Sequence, residues 1–161
     1  MVANGVELLR GESSRRLGRP LRHLVEEFAR SEEGAYERPV NYKLHTFAGT
    51  VAAVMVVERT AAGEPRLRHY TPAWEPFDDP MNTVCPLADV RDPPACLDEL
   101  LACGGRLGKA LGTYMRIDLF ATDRGCMFNE FSSTPLSGLH NTPYCDELFG
   151  RLWAEMDPAA S

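Results

Sequence analysis

Apolar and polar positions alternate with period two in some stretches of the chain and recur every three to four residues in others. Tyr42 to Glu58, YKLHTFAGTVAAVMVVE, holds two strand-like runs on either side of Ala48-Gly49, which reads as a hairpin turn. The second run, Val51 to Val57, is apolar almost throughout and predicts a strand covered on both faces. Arg59, Arg66 and Arg68 surround a turn at Gly63. Residues 71–96 carry Pro72, Pro76, Pro80, Pro86, Pro93 and Pro94 and predict an irregular surface connection. Asp92-Pro93-Pro94 makes a helix start, Leu97, Leu100, Leu101, Leu107 and Leu111 supply a buried stripe, and Gly112 serves as C-cap. Gly104-Gly105 weakens this helix, by about 1 kcal/mol per Gly relative to Ala. YMRIDLF from Tyr114 and FNEF from Phe128 read as two more strands. Pro143 opens a last helix with Leu148, Phe149, Leu152, Trp153 and Met156 on one face and Asp157-Pro158 at its end. Residues 1–19 lack periodicity and read as a poorly ordered arm, whereas Pro20, Leu21, Leu24, Val25 and Phe28 predict a helix over 20–30. Glu32 to Pro39 is a loop. Together these elements predict one α+β domain over residues 20–157, a mostly antiparallel sheet with flanking helices.

The stretch with the most chemistry is Tyr114 to Gly138. A three-residue loop, Asp123-Arg124-Gly125, would place the one residue with positive φ at Gly125, the conformation glycine adopts cheaply. Thr122 then faces Cys126, and counting back along both strands sets Asp118 opposite Glu130. Like charges directly opposed destabilise a sheet. The pair therefore needs a cation between the two carboxylates, a shared proton, or a different register. Arg116 and Ser132 project from the same face, two residues away on either strand. Two carboxylates with a hydroxyl suit a hard cation such as Mg²⁺. A half-exposed hairpin whose charges face water explains the same spacing.

Composition narrows the setting. With 161 residues, 44% of them hydrophobic and 25% charged, the chain is that of an ordinary single-core globular protein. Its net charge of −6 gives no bulk attraction to nucleic acid. The lysines are Lys43 and Lys109, every other basic residue being Arg, an excess we read as base composition before anion recognition. No apolar run approaches the ~20 residues of a membrane-spanning helix, and the N-terminus lacks the apolar region of a signal peptide. The 5 cysteines are odd in number and contain no C-x-x-C pair. Reduced thiols, a cytoplasmic location, and no membrane or nucleic-acid partner are the expectation.

RIDLF, a short turn and NEFSSTPLSG resemble the metal-binding hairpin of ATP-grasp enzymes, with the closest flavour in the subgroup linked to teichuronopeptide and polysaccharide biosynthesis. The resemblance implies Asp118 and Glu130 as Mg²⁺ ligands and Arg116 on the phosphates. It leaves Ser132 at the third metal position, where the wider superfamily commonly has Asn. NYKLHTFAGTV is similar to a D-Y-K-F segment of the same subgroup, with Asn41 in place of the Asp. That implies Lys43 facing the nucleotide and Asn41 at the ribose, although an isolated strand-end Lys is most often a solvated one. Arg59 and Arg68 lie in a stretch resembling the Arg-bearing strand that approaches the nucleotide; on spacing alone it is a charged edge hairpin. LVEEFA resembles the hinge strand that bonds adenine, with Glu26 at the acidic position and Glu27 and Ala29 offering backbone groups. This competes with the helix that periodicity predicts for the same residues. Ser137 and Gly138 would lie near the substrate.

The activity implied is ATP-dependent ligation of a small carboxylate to an amine or thiol through an acyl phosphate, with ATP and Mg²⁺ as cofactors and Lys43 and Arg116 as catalytic charge neutralisers. A complete enzyme of this kind also has an upstream substrate domain and a subdomain whose Gly-rich loop covers the phosphates. Gly5, Gly11 and Gly18 are too dispersed for that loop. The expectation is a partial ATP-grasp domain without the N-terminal half of the fold, which a second chain could supply. The alternative is a catalytically degenerate module that binds a nucleotide or a protein.

Overall fold

Five strands and two helices account for the regular structure of the computed structural model, which describes residues 26–156. β1 (Asn41–Phe47) and β2 (Thr50–Arg59) form the predicted hairpin around Ala48 (φ 46) and Gly49 (φ 100), the paired positive φ values of a two-residue turn that follows the strand twist. β3 (Pro65–Tyr70) returns along β2. After the proline-rich connection, helix α1 (Leu97–Leu111) ends at Gly112, φ 65, and β4 (Tyr114–Thr122) runs back beside β1 with β5 (Gly125–Ser132) outside it. The strand order is β3-β2-β1-β4-β5, antiparallel at every pairing. A 3₁₀ turn at Pro135–Gly138 leads into helix α2 (Pro143–Met156).

α1 covers one face of the sheet. Tyr42, Leu44, Val54, Val56, Ile117, Leu119 and Ala121 are buried there with Leu100 of the helix. Each such aliphatic side chain contributes roughly 1.5–3 kcal/mol by leaving water. The helix comes close because its buried face is small. A Cβ on Gly104 would stand 2.5 Å from Leu44 Cδ2, and one on Gly108 would stand 2.7 Å from Thr46 Oγ1. The leucine stripe is therefore only partly the docking face: Leu100, Gly104 and Gly108 are buried, while Leu111 is 41% exposed. The glycines that cost helix propensity permit the packing. On the other face, Ala53 is buried against Met81 and Cys145, so β2 is covered on both sides as its apolar run requires.

Two sequence expectations change. Residues 26–30 form neither the helix nor the hinge strand; the rest of that segment, the arm over 1–19 and the end of the domain at 157 lie outside the described residues. Side chains hold 26–30 in place of a backbone ladder. Phe28 stacks on Tyr36 with centroids 6.0 Å apart, Glu27 pairs with Arg124 at 3.3 Å, and Arg30 pairs with Asp123 at 2.5 Å. Phe28, the member of the expected apolar stripe that lies among the described residues, remains 53% exposed. In the β4–β5 hairpin, the strands meet at Thr122 and Gly125, not at Thr122 and Cys126. Gly125 does take positive φ, 88°. The missing loop residue reappears as a bulge: Leu119 pairs with Phe128 and Asp118 with Glu130, leaving Asn129 unpaired. The two departures cancel, so the predicted Asp118–Glu130 opposition stands.

Candidate functional site

The face of β1 and β4 away from α1 carries the charge. Lys43 on β1 is paired in register with Asp118 on β4, and Asp118 with Glu130 on β5, so these residues form one row across three adjacent strands. One row further on stand His45, Arg116 and Ser132. Asp118 is completely buried. Lys43 Nζ donates to its Oδ2, Arg116 Nε donates to its Oδ1 at 2.7 Å, and Arg116 Nη2 reaches Oδ2 at 3.1 Å. The same Nη2 donates to Ser132 Oγ at 3.0 Å and lies 3.5 Å from Glu130 Oε1. Facing carboxylates needed a cation, and the chain supplies its own: the Arg116 guanidinium sits against both, with Lys43 against the buried one.

That arrangement bears on the metal. Mg²⁺ takes one or two carboxylates and completes its shell with water and phosphate oxygens. Glu130, its side chain 54% exposed, is open to such use. Asp118 is not, because both its oxygens accept from charged donors, and Ser132 Oγ is taken by Arg116. An ion on Asp118 would have to displace Lys43 or Arg116, so the Asp118–Glu130–Ser132 set does not fit a metal as it stands. Among the described residues there is no group of 3 or more His, Cys, Asp and Glu side chains placed to hold one.

The other sequence candidates disperse. Asn41 shares the face of Lys43, with its Oδ1 buried and without a hydrogen-bond partner among the described residues. Arg59 closes the β2–β3 turn by donating to Gly63 O at 2.9 Å. Arg68 is paired with Val56, hence on the α1 face, and its Nε donates to Ala88 O at 2.6 Å. Neither arginine joins the row; this is the edge hairpin that the spacing alone described. Glu26 and Glu27 are exposed and Ala29 is half-buried, all in irregular backbone near the β4–β5 turn. Ser137 (φ 57) and Gly138 (φ 68) belong to the 3₁₀ turn after β5.

Gly138 borders a cavity of about 380 Å³ between this sheet face and α2. His45, Tyr114, Asp146, Phe149 and Trp153 also border it, and sequence reasoning gave none of them a functional part. The phase of Lys43, His45 and Phe47 along β1 and the i, i+4 spacing of Phe149 and Trp153 were the available signals. His45 Nδ1 lies 2.9 Å from Tyr114 Oη, while its Nε2 is buried without a partner among the described residues. Burial holds the His45 imidazole well below its ordinary pKa, aided by His69, Arg116 and Lys43 nearby. Burial likewise lowers His69 to about 4. Both rings are neutral at pH 7.

No helix among the described residues is long and apolar enough to cross a membrane. No family model and no curated protein matches the chain. Among solved structures it is similar to the ATP-grasp ligase PsnB complexed with a minimal precursor, at 15% identity and a TM-score of 0.37. The match covers 70% of this chain and 35% of that one.

Proposed function

We propose that the chain is a nucleotide-binding module of ATP-grasp type, part of an ATP-dependent carboxylate–amine (or carboxylate–thiol) ligase. The observation that carries this reading is the row Lys43–Asp118–Glu130 with Arg116 and Ser132 beside it, residues that the NYKLHTF, RIDLF and NEFSSTPLSG stretches bring to one face. In this reading the ATP phosphates approach from the Glu130 edge. Arg116 and Lys43, oriented by Asp118, neutralise charge on the phosphate oxygens. A substrate carboxylate oxygen attacks the γ-phosphorus and ADP leaves; an amine then attacks the acyl phosphate and releases phosphate. No enzyme nucleophile is required.

The second reading, a catalytically degenerate binding module, is favoured by one observation: Lys43 and Arg116 already occupy both oxygens of Asp118. Calorimetric titration of ATP into the full chain, in EDTA and in Mg²⁺, tests what the two readings share. Glu130→Gln is the informative variant because that side chain is half-exposed, so the substitution should leave the fold intact. ATP binding in Mg²⁺ weakened by Glu130→Gln supports the site, and absence of any ATP binding rejects it. ATP-dependent phosphate release with amino-acid or peptide acceptors then separates ligase from degenerate module.

A further inference from the structure

The cavity between the sheet and α2 has a character of its own. Its volume of about 380 Å³ is that of a small-molecule site. Phe47 and Tyr114 from the sheet and Phe149 and Trp153 from α2 make an aromatic wall. Ring centroids are 5.0 Å apart for Phe47–Tyr114, 5.3 Å for Phe47–Phe149 and 5.9 Å for Tyr114–Trp153. The wall is not sealed: Trp153 is 47% exposed. Charge in the lining is one-sided. Asp146 is the one Asp, Glu, Lys or Arg among the described lining residues, and His45 adds no positive charge because burial keeps it neutral. Asp146 Oδ1 accepts from Asn141 Nδ2 at 2.8 Å, and Oδ2 has no hydrogen bond among the described residues.

We propose that this cavity binds a small organic ammonium ion, its aromatic or aliphatic body laid on the ring wall and its ammonium group on the Asp146 carboxylate. Two independent features favour a cation: the Oδ2 of the exposed Asp146 carboxylate, open to a ligand among the described residues, and the electron-rich faces of Tyr, Phe and Trp rings. An anion of the same shape meets both as repulsion. Asp146 also complements the N-terminal dipole of α2, which accounts for the carboxylate but not for the space and the half-exposed Trp153 ring beside it.

The test is a titration of 2-phenylethylamine into the full chain without nucleotide, followed by calorimetry and tryptophan fluorescence, with 3-phenylpropionate as the anion of similar size. The expected result is saturable amine binding and at least about tenfold weaker anion binding. Asp146→Asn should remove that preference. Gly150→Leu gives an independent check. Gly150 borders the cavity, a Cβ there meets nothing within 4 Å, and Leu is the better helix former. This variant should keep its unfolding midpoint and lose the amine. No saturable amine binding, equal binding of the anion, or binding undiminished in a folded Gly150→Leu overturns the proposal. Because ATP is absent throughout, failure here leaves the nucleotide reading standing, and failure of ATP binding leaves this one standing.

Discussion

The two faces of the same sheet solve opposite problems. Toward α1, strands β1 and β4 present Leu44, Thr46, Ile117 and Leu119, all buried, and the contact depends on shape. On the opposite face the alternate residues are Lys43, His45, Arg116 and Asp118, and the cluster depends on charge balance in a place water hardly reaches. A one-residue slip would exchange the two sets, so register carries the whole distinction. The apolar face fails by losing or gaining volume. The polar face fails when one member of the cluster is left without its partner.

The largest expected effect lies on the charged face. Asp118→Asn leaves Lys43 and Arg116, whose side chains are 17% and 12% exposed, without their shared carboxylate. Breaking a buried ion pair from one side costs about 3–5 kcal/mol. Urea denaturation should show a loss of about 3 kcal/mol or more. A loss below about 1 kcal/mol would mean the two cations swing to water, and the contrast between the faces would collapse.

Alternation along NYKLHTF and YMRIDLF was enough to assign which residues share a face, and the Asp118–Glu130 opposition could be counted from the turn. The count succeeded although the loop is shorter than supposed, because the unpaired Asn129 restores the register. Bulges have no dependable one-residue signature, so this was not legible. Nor was the state of the charges. Whether Asp118 faces water, a metal or two side chains depends on Lys43, 75 positions away in the chain, and no local pattern encodes that pairing. Arg59 and Arg68 illustrate the converse, since residues of suitable type near the right segment were separated by strand parity and turn geometry.

On the apolar face the glycines give the next test. Gly108→Ala would place a Cβ 2.7 Å from Thr46 Oγ1, 3.0 Å from Thr46 Cβ and 3.2 Å from Gly49 Cα, the last being backbone that cannot swing aside. Overpacking of this kind costs about 1–3 kcal/mol, against a gain of up to about 1 kcal/mol in helix propensity. A net loss of about 1–2 kcal/mol is expected in thermal or urea unfolding. Gly104→Ala should cost less, because its closest neighbour at 2.5 Å is the end of the Leu44 side chain. Equal or reversed costs would show that the helix, not the sheet, gives way.

The charged face should also be the acid-sensitive one. His69 is held at about 4, below the 6.5 of an unfolded histidine, and His45 is lowered as well. The unfolded chain therefore binds protons more readily between about pH 6.5 and 4. Stability is full above that window and falls as the pH drops through it, by about 1–2 kcal/mol for His69 at pH 5. Urea midpoints measured from pH 7 to 5 check this, and His69→Phe should flatten the profile. A profile that is already flat in the unmodified chain would mean the rings protonate in place.

The smallest effect is expected at the rim, where residues 26–30 meet the β4–β5 turn. Arg124 and Glu27 pair at 3.3 Å with side chains 56% and 77% exposed, so solvent screens their attraction. Exposed pairs of this kind contribute about 0–1 kcal/mol, and Arg124→Ala should lower the unfolding free energy from urea denaturation by no more than about 0.5 kcal/mol. Arg30–Asp123 differs. Its distance is 2.5 Å and the Asp123 side chain is only 17% exposed, so Asp123→Ala should cost more than Arg124→Ala. A double-mutant cycle on each pair, read alongside amide exchange at Ala35 and Gly34 in the turn behind them, separates two outcomes. If removing Arg30–Asp123 raises exchange at these amides while the core β1 amides are unchanged, side-chain pairing alone fastens this segment to the sheet. If the β1 amides respond as well, the segment unfolds with the sheet, and the division between a charged face and its loosely tied rim has to be redrawn at Val40 and Asn41, where the strand begins.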